Sequence, residues 1–389
     1  MRKKIKQKVV VAMSGGVDSS VTAALLKEQG YECIGMHLNF WTDTAEQNEA
    51  AKNKCCTLGG LEDARDVSAK LDIPFYVMNV VDEFKQRVVD YFLETYSAGQ
   101  TPNPCVECNR HIKFGELLKR AQELGADFLA SGHYAKVAQN IQTEKYELFM
   151  PKDRGKDQTY FLYHLSQEKL KHILFPLGDL MKSEVYELAQ KFGLIRVAEK
   201  PQSQGLCFFS EATPKEFLHR YLQAGFLKPG PIVALDGRKI GEHKGLPLYT
   251  IGQRQGLGIG GISNEPEGEP WYVVRIEPRI NRLVVGRKED IYHDTFVCDA
   301  LSFISGEIPS GKQSVEVRIR HRGVLTPAEI EMKDERIFVS CKIPVCAVAA
   351  GQAAVFYKGE QLIGGATILE PYAKKETSQK TRARIPIAY

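Results

Sequence analysis

The sequence predicts an α/β fold, a doubly wound parallel sheet across the first half followed by two β-rich modules. Three observations carry that prediction. Short apolar runs alternate with helix-patterned stretches through residue 134. A glycine turn, MSGGVDSS (13–20), joins the first apolar run directly to the first helical stretch. From residue 210 onward the texture changes to Pro- and Gly-rich turns and short β-branched runs.

Taken in order, KVVVAM (8–13) reads as a buried strand, because consecutive β-branched residues suit a pleat covered on both faces. Residues 17–29 read as a helix closed by Gly30. YECIGMHLNF (31–40) is a second strand, 61–71 a helix, PFYVMNV (74–80) a third strand and 82–96 a helix. Residues 111–124 form another helix, closed by Gly125, and DFLASGHY (127–134) a fourth strand. Strands separated by crossover helices pair in parallel, with ligands outside the carboxyl ends of the strands. Residues 157–195 read as mostly helical and 213–223 as a helix. The segment 228–261 suits a small β-rich module with tight turns. From Trp271 on, WYVVRIE, RLVVG, TFVCDALSF, QSVEVRIRHRG, ERIFVSCKI and QAAVFYKGEQLIGGATIL suggest a small barrel or sandwich. The expected domains are 1–210, 211–285 and 286–371, with a basic tail at 372–389; a chain of 389 residues exceeds what one core supports.

Composition narrows the class. Hydrophobic content of 43% and charged content of 26% are those of an ordinary globular protein. No apolar run approaches the roughly 20 residues a membrane helix needs, so no membrane partner is expected. The basic lead-in at 2–8 runs into too short an apolar stretch for a secretory leader. Nine cysteines, an odd number, disfavour a disulfide scaffold and suggest a cytoplasmic location. A net charge of +4 leaves nucleic-acid binding to local patches. One is the tail stretch KKETSQKTRAR (374–384). Another is VRIRHRG (317–323), where alternation puts Arg318, Arg320 and Arg322 on one strand face, suited to tracking phosphates or to guarding an edge strand.

The turn at 13–20 is the sharpest chemical signal. Ser14, Gly15 and Gly16 let the backbone bend and expose N–H groups, and the helix N-terminus adds partial positive charge. Asp18 is out of place beside a phosphate unless a cation joins it, so it is assigned to Mg²⁺; Ser19 and Ser20 are expected to donate to phosphate oxygens. The pattern is neither GxxxxGK[ST] nor GxGxxG. A second signal is C-x-x-C, Cys105 and Cys108, after a Pro-Asn-Pro turn, with Cys207 in a Gly-Leu-Cys-Phe-Phe run. By itself the pair reads as half a zinc site, as buried structural thiols, or as reactive thiols activated by Arg110, Lys113 or the next helix N-terminus.

SGGVDSS resembles the pyrophosphatase loop of the ATP-pyrophosphatase superfamily. With TPNPCVECNRHIKF (101–114), SGHYA (131–135), KDQTYFL (156–162), SQGLCFF (203–209), YTIGQRQGLGI (249–259) and GQAAVFY (351–357), the chain resembles the tRNA-specific 2-thiouridylases along nearly its whole length. The resemblance implies an adenine nucleotide alpha hydrolase-like first domain and a tRNA-contacting C-terminal β-barrel. It implies a transferase that uses ATP and Mg²⁺ to adenylate O2 of the wobble uridine, then replaces that oxygen with sulfur from a cysteine persulfide. Products would be 2-thiouridine, AMP and pyrophosphate. Cys108 would be the nucleophile and Cys207 the persulfide carrier, with a disulfide between them to be reduced each turnover. Ala12, Met13, Ser14, Gly15, Gly16, Val17, Asp18, Ser19, Met36 and Gly132 would bind ATP. Asn103, Pro104 and Cys105 would meet the target base. His133, Lys156, Asp157, Gln158, Arg320, His321 and Gln352 would contact tRNA. The implied partners are the tRNAs for Lys, Glu and Gln and a sulfur donor such as a cysteine desulfurase or relay carrier. Cys105 departs from relatives that carry Asp there. The set Cys105, Cys108 and Cys207 therefore also reads as three ligands of an iron–sulfur cluster with one open iron.

Overall fold

A computed structural model describes residues 6–43, 58–200, 205–209, 213–259 and 269–372. Cys55, Cys56 and the basic stretch 374–384 lie outside the described residues. The chain opens with β1 (Lys8–Ala12), α1 (Val17–Glu28), β2 (Glu32–Asn39), α2 (Leu58–Lys70) and β3 (Phe75–Asn79). Two long helices follow, α3 over 81–97 and α4 over 104–123, and then β4 (Phe128–Ala130). A hairpin, β5 (Lys136–Gln139) and β6 (Tyr146–Phe149), precedes β7 (Ile173–Leu174) and α5 (Lys182–Lys191). The first sheet runs β3-β2-β1-β4-β7, every pairing parallel. Val9, Val10 and Val11 are wholly buried at its centre, as expected for a sheet covered on both faces.

After α6 (Lys215–Tyr221) come β8 (Gly230–Ala234), β9 (Lys239–His243), β10 (Tyr272–Glu277) and β11 (Arg282–Gly286), which form a sheet in the order β10-β11-β8-β9. The last six strands are β12 (Tyr292–Phe303), β13 (Lys312–Arg318), β14 (Thr326–Lys333), β15 (Arg336–Cys346), β16 (Ala353–Lys358) and β17 (Gln361–Pro371). They run antiparallel in the order β12-β15-β14-β13-β16-β17, and β12 pairs with β17 to close a barrel.

Four local expectations change. The helix expected at 111–124 starts at Pro104, so the C-x-x-C stands on its first turns rather than in a loop. Proline costs nothing at the first helical position, where its missing N–H has no partner to lose. Residues 157–195 are not mostly helical; they include short 3₁₀ turns and β7, whose two residues are too few to show a period. The hairpin β5–β6 went unseen because its half-exposed faces show no clear alternation, and strand β14, whose faces do alternate, because Pro327 stands second in it. Arg318, Arg320 and Arg322 do not share a strand face, since β13 ends at Arg318 and the chain turns through a left-handed Arg322.

The hairpin ties the two ends of the molecule together. β6 pairs with β17 at Leu148–Leu362. Arg318 Nη1 donates to Asp157 Oδ2 at 2.7 Å, with side chains only 11% and 4% exposed. Tyr160 donates to Ala353 O at 3.0 Å. Removing one partner of a buried ion pair leaves the other charge uncompensated, at a cost of about 3–5 kcal/mol. Arg318→Leu is therefore expected to lower the unfolding free energy by roughly that amount, read as a lower midpoint in urea.

Candidate active site

The carboxyl ends of β1, β2 and β4 border one cavity of about 440 Å³. The turn after β1 forms its floor. Gly16 stands at the N-cap of α1 with no side chain capping the helix, which leaves that end open to an anion. Gly15 adopts φ +81°, and a Cβ there would lie 2.2 Å from Gly60 O. Gly132, after β4, would set a Cβ 2.9 Å from the Ser19 backbone nitrogen. Only glycine lets α2 and β4 close on the turn from both sides. Ser19 and Ser20 depart from expectation, since both hydroxyls turn back to Gly16 O at 3.0 and 2.9 Å. Ser20 is fully buried outside the cavity.

The cation beside Asp18 is a lysine. Lys182 Nζ donates to Asp18 Oδ1 at 2.5 Å and Tyr134 OH to the same oxygen at 2.8 Å. Lys182, on the first turn of α5, is nearly buried beside the Tyr134 and Tyr186 rings. The sequence reading missed it, because 164 residues separate the partners. Among the described residues no three His, Cys, Asp or Glu side chains gather as a metal site. Asp18 thus offers Mg²⁺ a single carboxylate, enough only for an ion that arrives on the phosphates of ATP.

The opposite wall carries sulfur. Cys105, Cys108 and Cys207 all line the cavity. Cys105 and Cys108 each lie within electrostatic range of Cys207, and among the described residues no three such side chains gather as a metal site. The activation expected from positive charge is also outweighed. Burial pushes the Cys105 thiol up to about 11 and the Cys108 thiol up to about 12, against the pull of Lys113. Lys113 reaches this wall because α4 is π-helical from Cys108 to Glu116. An α-helix would turn residues five apart about 140° from each other. A π-turn of about 4.4 residues brings them within about 50°. A second π-turn, Lys85–Asp90, pairs its own ends five apart at 2.8 Å. With the thiol pKa raised, the thiolate is scarce at neutral pH. Alkylation of Cys108 in the free protein should climb about tenfold per pH unit between pH 7 and 9, as followed by peptide mass spectrometry; a plateau above pH 8 would contradict the burial effect.

Of the residues the sequence singled out, Ala12, Met13, Ser14, Gly16, Val17, Asp18, Ser19, Met36 and Gly132 line the cavity. Pro104, His133, Lys156, Gln158 and His321 do so as well. His133 is 8% exposed, hydrogen-bonded through Nδ1 to Ser131 Oγ at 2.7 Å, and held neutral by burial and by Lys113. Gly15, Asn103, Asp157, Arg320 and Gln352 are not brought to the cavity. Asp157 is inside, bonded to Thr159 and Arg318. Arg320 donates to Ala347 O at 2.8 Å, and Gln352 donates to Pro102 O at 2.8 Å, bracing the strand of chain before α4. The sequence reading gave no role to His37, Asn109 or Lys200, which line the cavity, Asn109 from within the TPNPCVECNRHIKF stretch; Arg322, expected on a phosphate-tracking face, lines it too.

Comparison with known proteins agrees with this geometry. The family model described as tRNA methyl transferase HUP domain matches residues 7–211. Those for a tRNA methyl transferase PRC-barrel domain and an aminomethyltransferase beta-barrel domain match 215–287 and 293–368. The tRNA-specific 2-thiouridylase MnmA of Carboxydothermus hydrogenoformans is 44% identical over 365 residues, covering 93% of this chain and 98% of that protein. The protein of the same name from Moorella thermoacetica is 44% identical over 361 residues, covering 92% and 98%. That from Clostridium perfringens is 43% identical over 364 residues, covering 93% and 98%. With such identity over nearly the whole of both chains, this chain belongs to the tRNA-specific 2-thiouridylase family.

Proposed function

We propose that the protein replaces O2 of the wobble uridine of tRNA with sulfur at the expense of ATP. As a member of its family the chain is an enzyme, a transferase that acts in tRNA thiolation. The observation that carries the finer reading is one cavity with an anion-accepting helix end on its floor and three thiols on its wall. A uracil carbonyl is a poor electrophile and its oxygen a poor leaving group, so both halves are needed. O2 attacks the α-phosphate of ATP and pyrophosphate leaves. The terminal sulfur of a Cys207 persulfide attacks C2 and AMP leaves. The Cys108 thiolate then attacks Cys207 Sγ, forms the Cys108–Cys207 disulfide and releases the 2-thiocarbonyl. A dithiol reductant restores both thiols. ATP enters as its Mg²⁺ complex beside Asp18 and Lys182, and no step is assigned to an iron–sulfur cluster.

The tRNAs for Lys, Glu and Gln are the proposed substrates, and a cysteine desulfurase or sulfur relay protein the proposed donor, in the cytoplasm. Among the described residues no helix is long and apolar enough to cross a membrane. An amide-forming ligase would use the same phosphate loop but gives the three thiols no task, and a non-catalytic RNA-binding protein would need neither. Incubation with ATP, unmodified tRNA, a dithiol reductant and a cysteine desulfurase with cysteine as the persulfide source is expected to give pyrophosphate and 2-thiouridine in equal amounts. Pyrophosphate release indifferent to tRNA would overturn the reading.

A further inference from the structure

Next to Cys108, Asn109 is only 4% exposed and lines the cavity. Its Oδ1 is sealed from solvent with no hydrogen-bond partner among the described residues. A half-turn of the amide exchanges Oδ1 and Nδ2, so reorientation moves the unmet valence without removing it. A buried polar atom without a partner costs about 1–3 kcal/mol, and native structures keep few of them. Helix geometry does not require asparagine here, since an apolar residue of similar size would form α4 at least as well. The cost is retained, and the position of the group names what relieves it. It follows Cys108 directly in sequence and shares a cavity with Cys105 and Cys207, so whatever meets it lies at the sulfur wall rather than the phosphate floor.

We propose that the Asn109 carboxamide turns from its sealed position toward the cavity as the base enters and reads the Watson–Crick edge of the target uracil, Oδ1 accepting from N3–H and Nδ2 donating to O4. A carboxamide offers one acceptor and one donor side by side, and uracil presents the complementary donor N3–H beside the acceptor O4. Cytosine reverses both, with N3 an acceptor and its 4-amino group a donor, so the amide would have to turn over to meet it. Reading the N3–O4 side leaves O2 and C2 open, the atoms that ATP and sulfur must reach. A base brought into a pocket for chemistry is commonly recognised along this edge. The sequence reading gave base contact to Asn103, Pro104 and Cys105 and did not include Asn109.

This assignment rests on the reading of the cavity as a uridine-thiolation site. Its test is binding without ATP or sulfide, so it stands or falls separately from turnover. The probes are two anticodon stem–loop RNAs, identical except for uridine or 3-methyluridine at the wobble position; the latter replaces N3–H by N3–CH3 and keeps O2 and O4 as carbonyls. Fluorescence anisotropy on the full-length protein is expected to favour the uridine RNA by about tenfold, the value of one hydrogen bond to a buried group. In Asn109→Ala that preference falls to about one. Asn109→Leu is expected to lose the preference too while its melting temperature holds or rises, because an unmet polar group has been removed. Equal weakening of both RNAs, an undiminished preference in the variants, or a lowered melting temperature in Asn109→Leu would each overturn the proposal.

Discussion

Cys108→Ala and Cys207→Ala are each expected to reduce 2-thiouridine formation by on the order of a thousandfold or more, while the ATP site survives. Each removes one member of a two-thiol relay. Without Cys207 no sulfur is carried, and without Cys108 the sulfur delivered to C2 stays bonded to Cys207. The double variant should be scarcely worse than either single one, since residues that act as a unit are non-additive. Both substitutions remove a small side chain from the cavity wall and leave the Asp18–Lys182 pair untouched. Adenylation of the tRNA should therefore persist as a burst of pyrophosphate with little turnover. The measurement is a quench-flow comparison of pyrophosphate and thiolated nucleoside. Cys105→Ala serves as the contrast. A three-thiol cluster would make it as damaging as the other two, whereas the two-thiol relay leaves it active.

Gly15→Ala should have the next largest effect, on the other half of the chemistry. The residue sits at φ +81°, where a Cβ costs roughly 1–2 kcal/mol. That Cβ would also lie 2.2 Å from Gly60 O, a backbone atom that no rotamer change can move. Either α2 retreats or the turn after β1 shifts, and both displace the N-terminus of α1 from the anion it would receive. The expected result is a loss of ATP affinity of about a hundredfold, together with a loss of stability of about 2–4 kcal/mol. Calorimetric ATP binding and urea unfolding check the two parts. Unaltered ATP affinity with lowered stability would mean that Gly15 serves packing alone.

The legible part of this protein is its periodic part. Val9–Val11 form the central strand in the place their β-branched run indicated, and the glycine turn opens α1 where SGGVDSS stands. Elements that failed to show were short or interrupted, such as β7 with two residues and β14 with Pro327 in its second place. The start of α4 was misjudged for another reason. Pro104 was taken as a loop residue, although proline suits a first helical position equally well.

Sequence alone determined the alternation of strands and helices through β4, the phosphate turn and the identity of the three thiols, because each follows from neighbours within a few residues. Tertiary structure decided everything that depends on partners far apart in the chain. It chose Lys182 as the cation for Asp18 across 164 residues. It placed Asp157 inside against Arg318, 161 residues away. It buried Cys105 and Cys108 deeply enough that lost hydration outweighs the nearby lysine. It left Asn109 Oδ1 without a partner at the sulfur wall. Solvent exposure and long-range pairing set these outcomes, and neither is a property of a local stretch of sequence.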